Sequence, residues 1–484
     1  MITPETLAKY RMTIGIESHV QLATVTKLFS PADNDARDAA PNTKVHPIDY
    51  GLPGMLPILN REAINLAIRA AKALNADVAE VSRFDRKHYF YPDLPNGYQI
   101  TQMYEPTILA GIVEAPLEDG GVVRVRIHHA HLESDAGKLT HYGDYTLADY
   151  NRAGTPLIEI VTEPDMHSSA EAKAFCQELH RLMMYAGVSR GDLYHGNQRF
   201  DVNISVAPAD SDTLGTRAEI KNLNSFRSIE RAVEYEFRRQ VELLERGERV
   251  VQETRGWNDA KQITTSQRSK EDAQDYRYMP DADIPPVVLT PEQIASVQAE
   301  VPMLPPEYRA KWAGLHLDKS VVNTLLDSPD AAQLVNRLID IDIAAARKTS
   351  FWLMKCVGDE TRGYHAGADI TNGLVQLSQM VDANQVSSNS AETIFFEMIT
   401  TSREDAKKIA EEKNLLQVSD EGAIAAIVDA VMTDPASATS IADITAGKDK
   451  AIGYLVGQVM KQSQGKANPG LAQTLIRERL DQQK

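Results

Sequence analysis

The segment DYNRAGTPLIEIVTEPD, residues 149–165, places a carboxylate in the middle of an apolar run. It opens with the turn-forming residues Asn151, Arg152, Ala153 and Gly154. It then passes through Leu157, Ile158, Ile160 and Val161 between Pro156 and Pro164. A short β-branched run bounded by proline is expected to form a buried strand. Glu159 sits inside it, and a buried carboxylate is costly unless it is paired, hydrogen-bonded or bound to metal. Two readings follow: a buried salt bridge, with Arg152 as the nearest candidate, or a ligand to a cation.

Two further stretches bear on that choice. In IGIESHVQL, residues 14–22, strand alternation puts Ile14, Ile16, Val20 and Leu22 on one face and Glu17, His19 and Gln21 on the other. VVRVRIHHAHLE, residues 122–133, is expected to be a third strand, and it ends on Glu133 before the turn-like SDAGK. If Glu17, His19, Glu133 and Glu159 converge, three carboxylates and one imidazole suit a hard cation such as Mg²⁺ better than Zn²⁺.

HLESDAGK, DYNRAGTPLIEIVTEPD, RAEIKNLNSF and DYRYMPDADIPP occur in that order. Through them the chain resembles, over essentially its whole length, the GatB family of glutamine-dependent aspartyl/glutamyl-tRNA amidotransferases. The resemblance implies a carbon–nitrogen ligase that takes misacylated tRNA. ATP phosphorylates the side-chain carboxylate of glutamate or aspartate esterified to tRNA, and ammonia then converts it to the amide. The implied partners are the amidase GatA and the small protein GatC, in a heterotrimer. The implied fold is an α+β catalytic domain like that of glutamine synthetase and guanido kinases, then an all-α helical domain, then a small YqeY-like helical tail. Domains are expected at 1–293, 294–405 and 406–484.

Phosphate contacts are expected in the aromatic, basic segment 84–102, where Arg86 and Lys87 are assigned to phosphate and, with Glu133, to catalysis. No G-x-x-x-x-G-K-[ST] or G-x-G-x-x-G pattern occurs, so metal and side chains must hold the phosphates of ATP. NQRFDVNISV and RAEIKNLNSF each present a polar strand face. Matching the family, they are expected to line a shared cavity with Arg199, Lys221 and Asn222 toward the nucleotide. Between residues 30 and 51 the family often carries cysteines at metal-like spacing. This chain has none there, and no structural zinc is expected.

The 484 residues exceed one ordinary core, and no apolar run reaches transmembrane length. No signal or transit pattern opens the chain, and the two cysteines, Cys176 and Cys356, are expected to be buried thiols, which points to the cytoplasm. A net charge of −17 opposes general nucleic-acid affinity, and DNA and membrane are not expected partners. Any tRNA contact then needs a local basic patch. Residues 447–484 hold seven Lys/Arg against three acids, and Lys448, Lys450, Lys461 and Lys466 are assigned to tRNA. A solvated helical face is the competing reading.

Seven prolines between 280 and 306 mark a linker. Amphipathic spacing beyond it predicts helices over 320–343, 366–381, 391–409 and 422–432. No amidase nucleophile is recognisable, so glutamine hydrolysis is assigned to the partner. Two other functions compete: a non-catalytic tRNA-binding scaffold, and a free-standing amide ligase for a small amino acid.

Overall fold

The computed structural model describes residues 3–269, 275–356, 369–417, 421–445, 448–463 and 467–482. The chain divides into two compact units, residues 1–307 and 308–484.

The strands of the first unit are, in chain order, β1 (Tyr10–Gln21), β2 (Val81–Ser82), β3 (Asp85–His88), β4 (Tyr98–Thr101) and β5 (Gly111–Pro116). They continue with β6 (Val122–Ser134), β7 (Lys138–Tyr142), β8 (Tyr145–Asp149), β9 (Pro156–Thr162) and β10 (Gln198–Pro208). The last are β11 (Ala218–Leu223), β12 (Glu253–Asn258), β13 (Ile263–Ser269), β14 (Met279–Pro280) and β15 (Val287–Val288). Eight form the main sheet in the order β13-β12-β11-β10-β1-β9-β6-β5. Its pairings are antiparallel except β11 with β12.

This sheet has one apolar and one charged face because its central strands alternate. Ile14, Ile16 and Val20 of β1 and Val202 and Ile204 of β10 turn into a core with Phe175, Leu179 and Ile229. Those last three come from the helices α3 (Ser169–Tyr185) and α4 (Phe226–Glu245), which follow α1 (Pro4–Leu7) and α2 (Arg61–Ala73) and pack on the sheet. Ser168 caps α3, accepting the Glu171 backbone N–H at 3.1 Å, and Gly187 lies just past its end at φ +68°. The Glu171 carboxylate reaches the N–H of His167, one residue before the cap, rather than that of Ser168.

The turn that opens 149–165 is closed by Gly154 at φ +82°, and a Cβ there would meet Asp49 Oδ1 at 2.8 Å. That carboxylate is held by Lys27 at 3.1 Å, both side chains being buried. The loop 30–51 is further tied by Arg37–Asp35 at 2.6 Å and Asn151 to the Ala40 carbonyl at 2.8 Å.

The boundary expected at 293/294 falls within α5 (Pro291–Ala299), whose Ile294 and Val297 pack against the first core. That helix therefore belongs to the first unit, and the division comes at 307/308, inside α6 (Pro305–Trp312).

The second unit is helical among the described residues. The single helix expected over 320–343 is three: α7 (Lys319–Leu326), α8 (Pro329–Ile339) and α9 (Ile343–Leu353). Ser328 caps α8 and Pro329 starts it, so a new helix begins where the amphipathic pattern runs on unbroken. The 366–381 helix is α10 (Thr371–Asp382), its first expected residues lying outside the described ones. The 391–409 helix is two, α11 (Ser388–Thr401) and α12 (Ala406–Glu412), interrupted where Ser402 takes φ +55°. The boundary expected at 405/406 precedes α12, which packs on α10 and α11. A separate apolar cluster begins at Ile424 and draws on α13 (Glu421–Thr433), α15 (Ile452–Gln462) and α16 (Pro469–Gln482), with α14 (Ala438–Thr445) beside them.

Candidate functional site

Register brings the charged face together. Across the sheet, His131 of β6 stands opposite Glu159 of β9, Glu159 opposite His19 of β1, and His19 opposite Arg199 of β10. Two residues back along β1, Glu17 stands opposite Asp201, while Asn203 of β10 faces Glu219 of β11. Of these, Glu17, His19, Glu159, Arg199, Asp201 and Glu219 line a cavity of about 880 Å³ whose wall carries six carboxylates and three permanent cations, Lys87, Arg199 and Lys221.

The four expected metal ligands do not form one group. His19, Glu133 and Glu159 do, with ligand atoms within 4.8 Å of one another. His19 Nε2 lies 3.5 Å from Glu133 Oε1 and 3.6 Å from Glu159 Oε2. Glu17 belongs to a second group with Asp201 and Glu219. It lies two residues, about 7 Å, along β1 from His19, next to what β10 and β11 present. Asn203 Nδ2 donates to Glu17 Oε1 at 2.9 Å, and Lys221 Nζ meets Asp201 at 2.7 Å and Glu219 at 3.0 Å.

Glu159 is not paired with Arg152, whose guanidinium meets Asp135 at 3.3 Å and donates to the carbonyls of Ala136 and Gly137. Its partner is His131, with Nε2 at 3.2 Å from Glu159 Oε2. His131 is absent from the sequence assignments, although strand alternation places it on the face of Glu133, two residues away.

Crowding shifts these groups. Burial, then the Glu159 charge, pushes Glu133 above the ordinary carboxylate range. Burial and the Glu159 charge also raise Glu17, against the Asn203 hydrogen bond. Burial works to raise Glu159 too, but the hydrogen bond and charge of His131, with His19 and Lys87, hold it down. Lys221 is raised: burial opposes its charge, but Asp201 and Glu219 outweigh that. Within the first group, Glu133 resisting ionisation beside an ionised Glu159 makes a donor set whose electrostatic deficit a divalent cation fits.

Arg86 and Lys87 separate because successive residues of a strand point to opposite sides. Lys87 lines the cavity, its Nζ 4.9 Å from the centre of the Tyr276 ring. Arg86 does not reach the cavity. Its guanidinium meets Asp281 at 2.8 Å and Asp283 at 2.7 Å and lies over Tyr98, which fixes β3 against the segment carrying β14. The structure thus gives Arg86 a structural place instead of the expected one at phosphate and in catalysis. Arg199 lines the cavity and meets Asp135 at 3.2 Å. Lys221 and Asn222 line it as well, Asn222 at φ +66°.

In the second unit, Lys448, Lys450 and Lys461 are exposed, and Lys466 lies outside the described residues. Lys448 meets Asp443 at 3.0 Å, and Arg479 meets Asp429 at 2.7 Å, so part of the basic edge is neutralised locally.

Residues 12–295 match the family model described as the GatB/GatE catalytic domain, and residues 342–480 match the one described as the GatB domain. A relative from Thermotoga maritima is 42% identical over 486 residues, covering 98% of this chain and 99% of its own length. One from a Synechococcus strain is 41% identical, with 98% of each chain covered. One from Carboxydothermus hydrogenoformans is 39% identical, covering 98% of this chain and 99% of its own. Each is named as the B subunit of an aspartyl/glutamyl-tRNA(Asn/Gln) amidotransferase.

Proposed function

Because the chain belongs to the GatB family of aspartyl/glutamyl-tRNA(Asn/Gln) amidotransferases, tRNA-dependent carbon–nitrogen ligases, we propose that its charged cavity is where the misacylated residue is activated and amidated. ATP donates its γ-phosphoryl group to the side-chain carboxylate of glutamate or aspartate on tRNA. An oxide leaving group thereby becomes phosphate, which ammonia displaces.

The observation that carries this reading is the pair of ligand groups flanking β1 on one cavity wall. His19, Glu133 and Glu159 would hold a Mg²⁺ ion, and Glu17 lies with the neighbouring group. When bound, that ion supplies neutralisation of phosphate charge and a fixed in-line geometry. Lys87, projecting from β3 into the same space, stabilises phosphate oxygens. Arg199, Lys221 and Asn222 border the nucleotide. His131 orients Glu159, as a hydrogen-bonded neighbour of a ligand does. The phosphates are held without a P-loop, which favours the glutamine synthetase and guanido kinase type of site. A sheet with helices on one face and charge on the other supports that fold reading.

Ammonia comes from a partner amidase, GatA, with the small GatC completing the assembly. Both cysteines of this chain are buried, and burial pushes the Cys176 thiol well above its ordinary range, which suits neither for glutaminase chemistry. No helix among the described residues is long and apolar enough to cross a membrane, and we assign the enzyme to the cytoplasm, where its tRNA substrate is made. The tail lysines are assigned to tRNA.

The test is division of labour. The isolated chain should release no ammonia from glutamine, yet amidate misacylated tRNA when given ammonium salt and ATP. Glutaminase activity surviving rigorous removal of the partner would refute the assignment.

A further inference from the structure

A second cavity, about 440 Å³, lies beside the first. β1 links them: His19 lines the first, and Gln21, two residues along the same strand face, lines the second. Asp135, on the wall of the first, is held by Arg152 of the second. Their charges differ. The first has twice as many carboxylates as permanent cations. The second has four cations, Arg37, Lys138, Arg152 and Arg190, against Asp35, Asp38 and Asp149. Arg37 and Arg190 share Asp35, both at 2.6 Å, while Lys138 makes no ion pair among the described residues.

From the rim rises the β7–β8 hairpin, a two-stranded sheet separate from the main one. Lys138 and Asp149 are its base pair, and both line the second cavity. At its tip Tyr142 and Tyr145 face each other across the strands, rings stacked at 5.1 Å and 17°. They are 46% and 56% exposed, and Leu147 below them is 55% exposed. An isolated hairpin is marginal in water, and aromatic rings held flat and open on one are what a stacking partner uses.

We propose that the second cavity and this hairpin form a track for the unpaired nucleotides of the tRNA acceptor end. The proposal rests on the function above, because the aminoacyl ester must reach the first cavity and the nucleotides behind it must lie alongside. The positive balance of the second cavity in an acidic chain suits their phosphodiesters. The tyrosines stand four residues, about 14 Å, above the base, the length of roughly four stacked nucleotides. The pair therefore stacks on the unpaired nucleotide next to the acceptor duplex rather than on the terminal one.

The experiment uses the complete amidotransferase complex with a Tyr142→Ser, Tyr145→Ser double variant, and Lys138→Gln as a second variant. The double variant should raise KM for misacylated tRNA roughly tenfold, the scale of one lost base–aromatic stack. kcat at saturating tRNA and KM for ATP should hold. Lys138→Gln should raise the tRNA KM and flatten its salt dependence. Uncharged tRNA carrying 2-aminopurine next to the acceptor duplex should be quenched by the parent complex and not by the double variant. That reading needs no catalysis, so failure of the track is separable from failure of the functional assignment. An unchanged KM with unchanged fluorescence overturns the proposal. Loss of GatA or GatC from the double variant also overturns it, assigning the hairpin to a protein contact.

Discussion

His131 and Glu159 meet at 3.2 Å in the first unit, and Lys448 and Asp443 meet at 3.0 Å in the second. Near-equal distances carry unequal energies. The first pair is 11% and 17% exposed and lies on adjacent strands with fixed register; the second is 71% and 41% exposed on a helical surface. Coulomb attraction grows as water is excluded, and so does the cost of losing one partner. An exposed pair contributes about 0–1 kcal/mol and is screened by salt. The cavity charges are thus locked in position, while the tail charges stay free to change partner, which a surface meeting RNA requires.

The sharpest test of the locked side is Glu159→Gln. The amide keeps the shape, removes a ligand charge and leaves His131 facing a neutral group. tRNA-dependent ATP hydrolysis should fall on the order of 10²–10³-fold, the scale seen when one preorganised electrostatic group is lost. Far-ultraviolet circular dichroism should be unchanged. Parental turnover in this variant would show that the buried cluster is structural only.

A second test sets protons against a cation. Glu17 and Glu133 are raised, each first by burial, so the fold favours their protonated forms. Their contribution to stability is complete below the ordinary carboxylate pKa and is lost as pH rises through the raised values. A cation held by His19, Glu133 and Glu159 needs Glu133 ionised, and its binding offsets the Glu133 part of that loss. The Mg²⁺-dependent increase in Tm should therefore be full near neutral pH and shrink as pH falls through a window above the ordinary carboxylate range. Glu159, held down by His131, stays ionised across that window. A pH-independent increase would place the ion elsewhere.

What the sequence shows of this site follows from what alternation can and cannot encode. Period two puts Glu17 and His19 on one face of β1, and they are there. It also carries the information that His131 shares a face with Glu133, but no motif marks an imidazole beside a ligand. Register is not legible. Whether Glu17 meets β9 or β10 partners depends on strand order, which is set by contacts distant in sequence, so one expected cluster is two. Arg86 eludes a sequence reading for a related reason: Asp281, nearly two hundred positions away, is its partner. In the second unit, periodicity finds helical character but not the stops at Ser328–Pro329 and Ser402, where backbone chemistry overrides the apolar pattern.

The tail tests the mobile side of the comparison, with the smallest expected effect. Truncation should begin after residue 417, because α12 packs on α10 and α11 and removing it would disturb them. Some tail cations are already answered by Asp443 and Asp429, while Lys450 and Lys461 make no ion pair among the described residues. Each phosphate contact contributes roughly 0.7–0.9 to the log–log salt slope of binding. With one or two such contacts, truncation should flatten the slope by about one to two units and weaken tRNA affinity. Amidation at saturating tRNA should change less, because the ligand groups lie in the first unit. Exposed pairs can exchange an aspartate for a phosphate at little cost, so salt should decide how many do so. A tail that only packs against its neighbours would lower Tm and leave the slope unchanged. Titrating tRNA into the full and truncated proteins at several salt concentrations separates the two, and an unchanged slope would assign the tail a packing role.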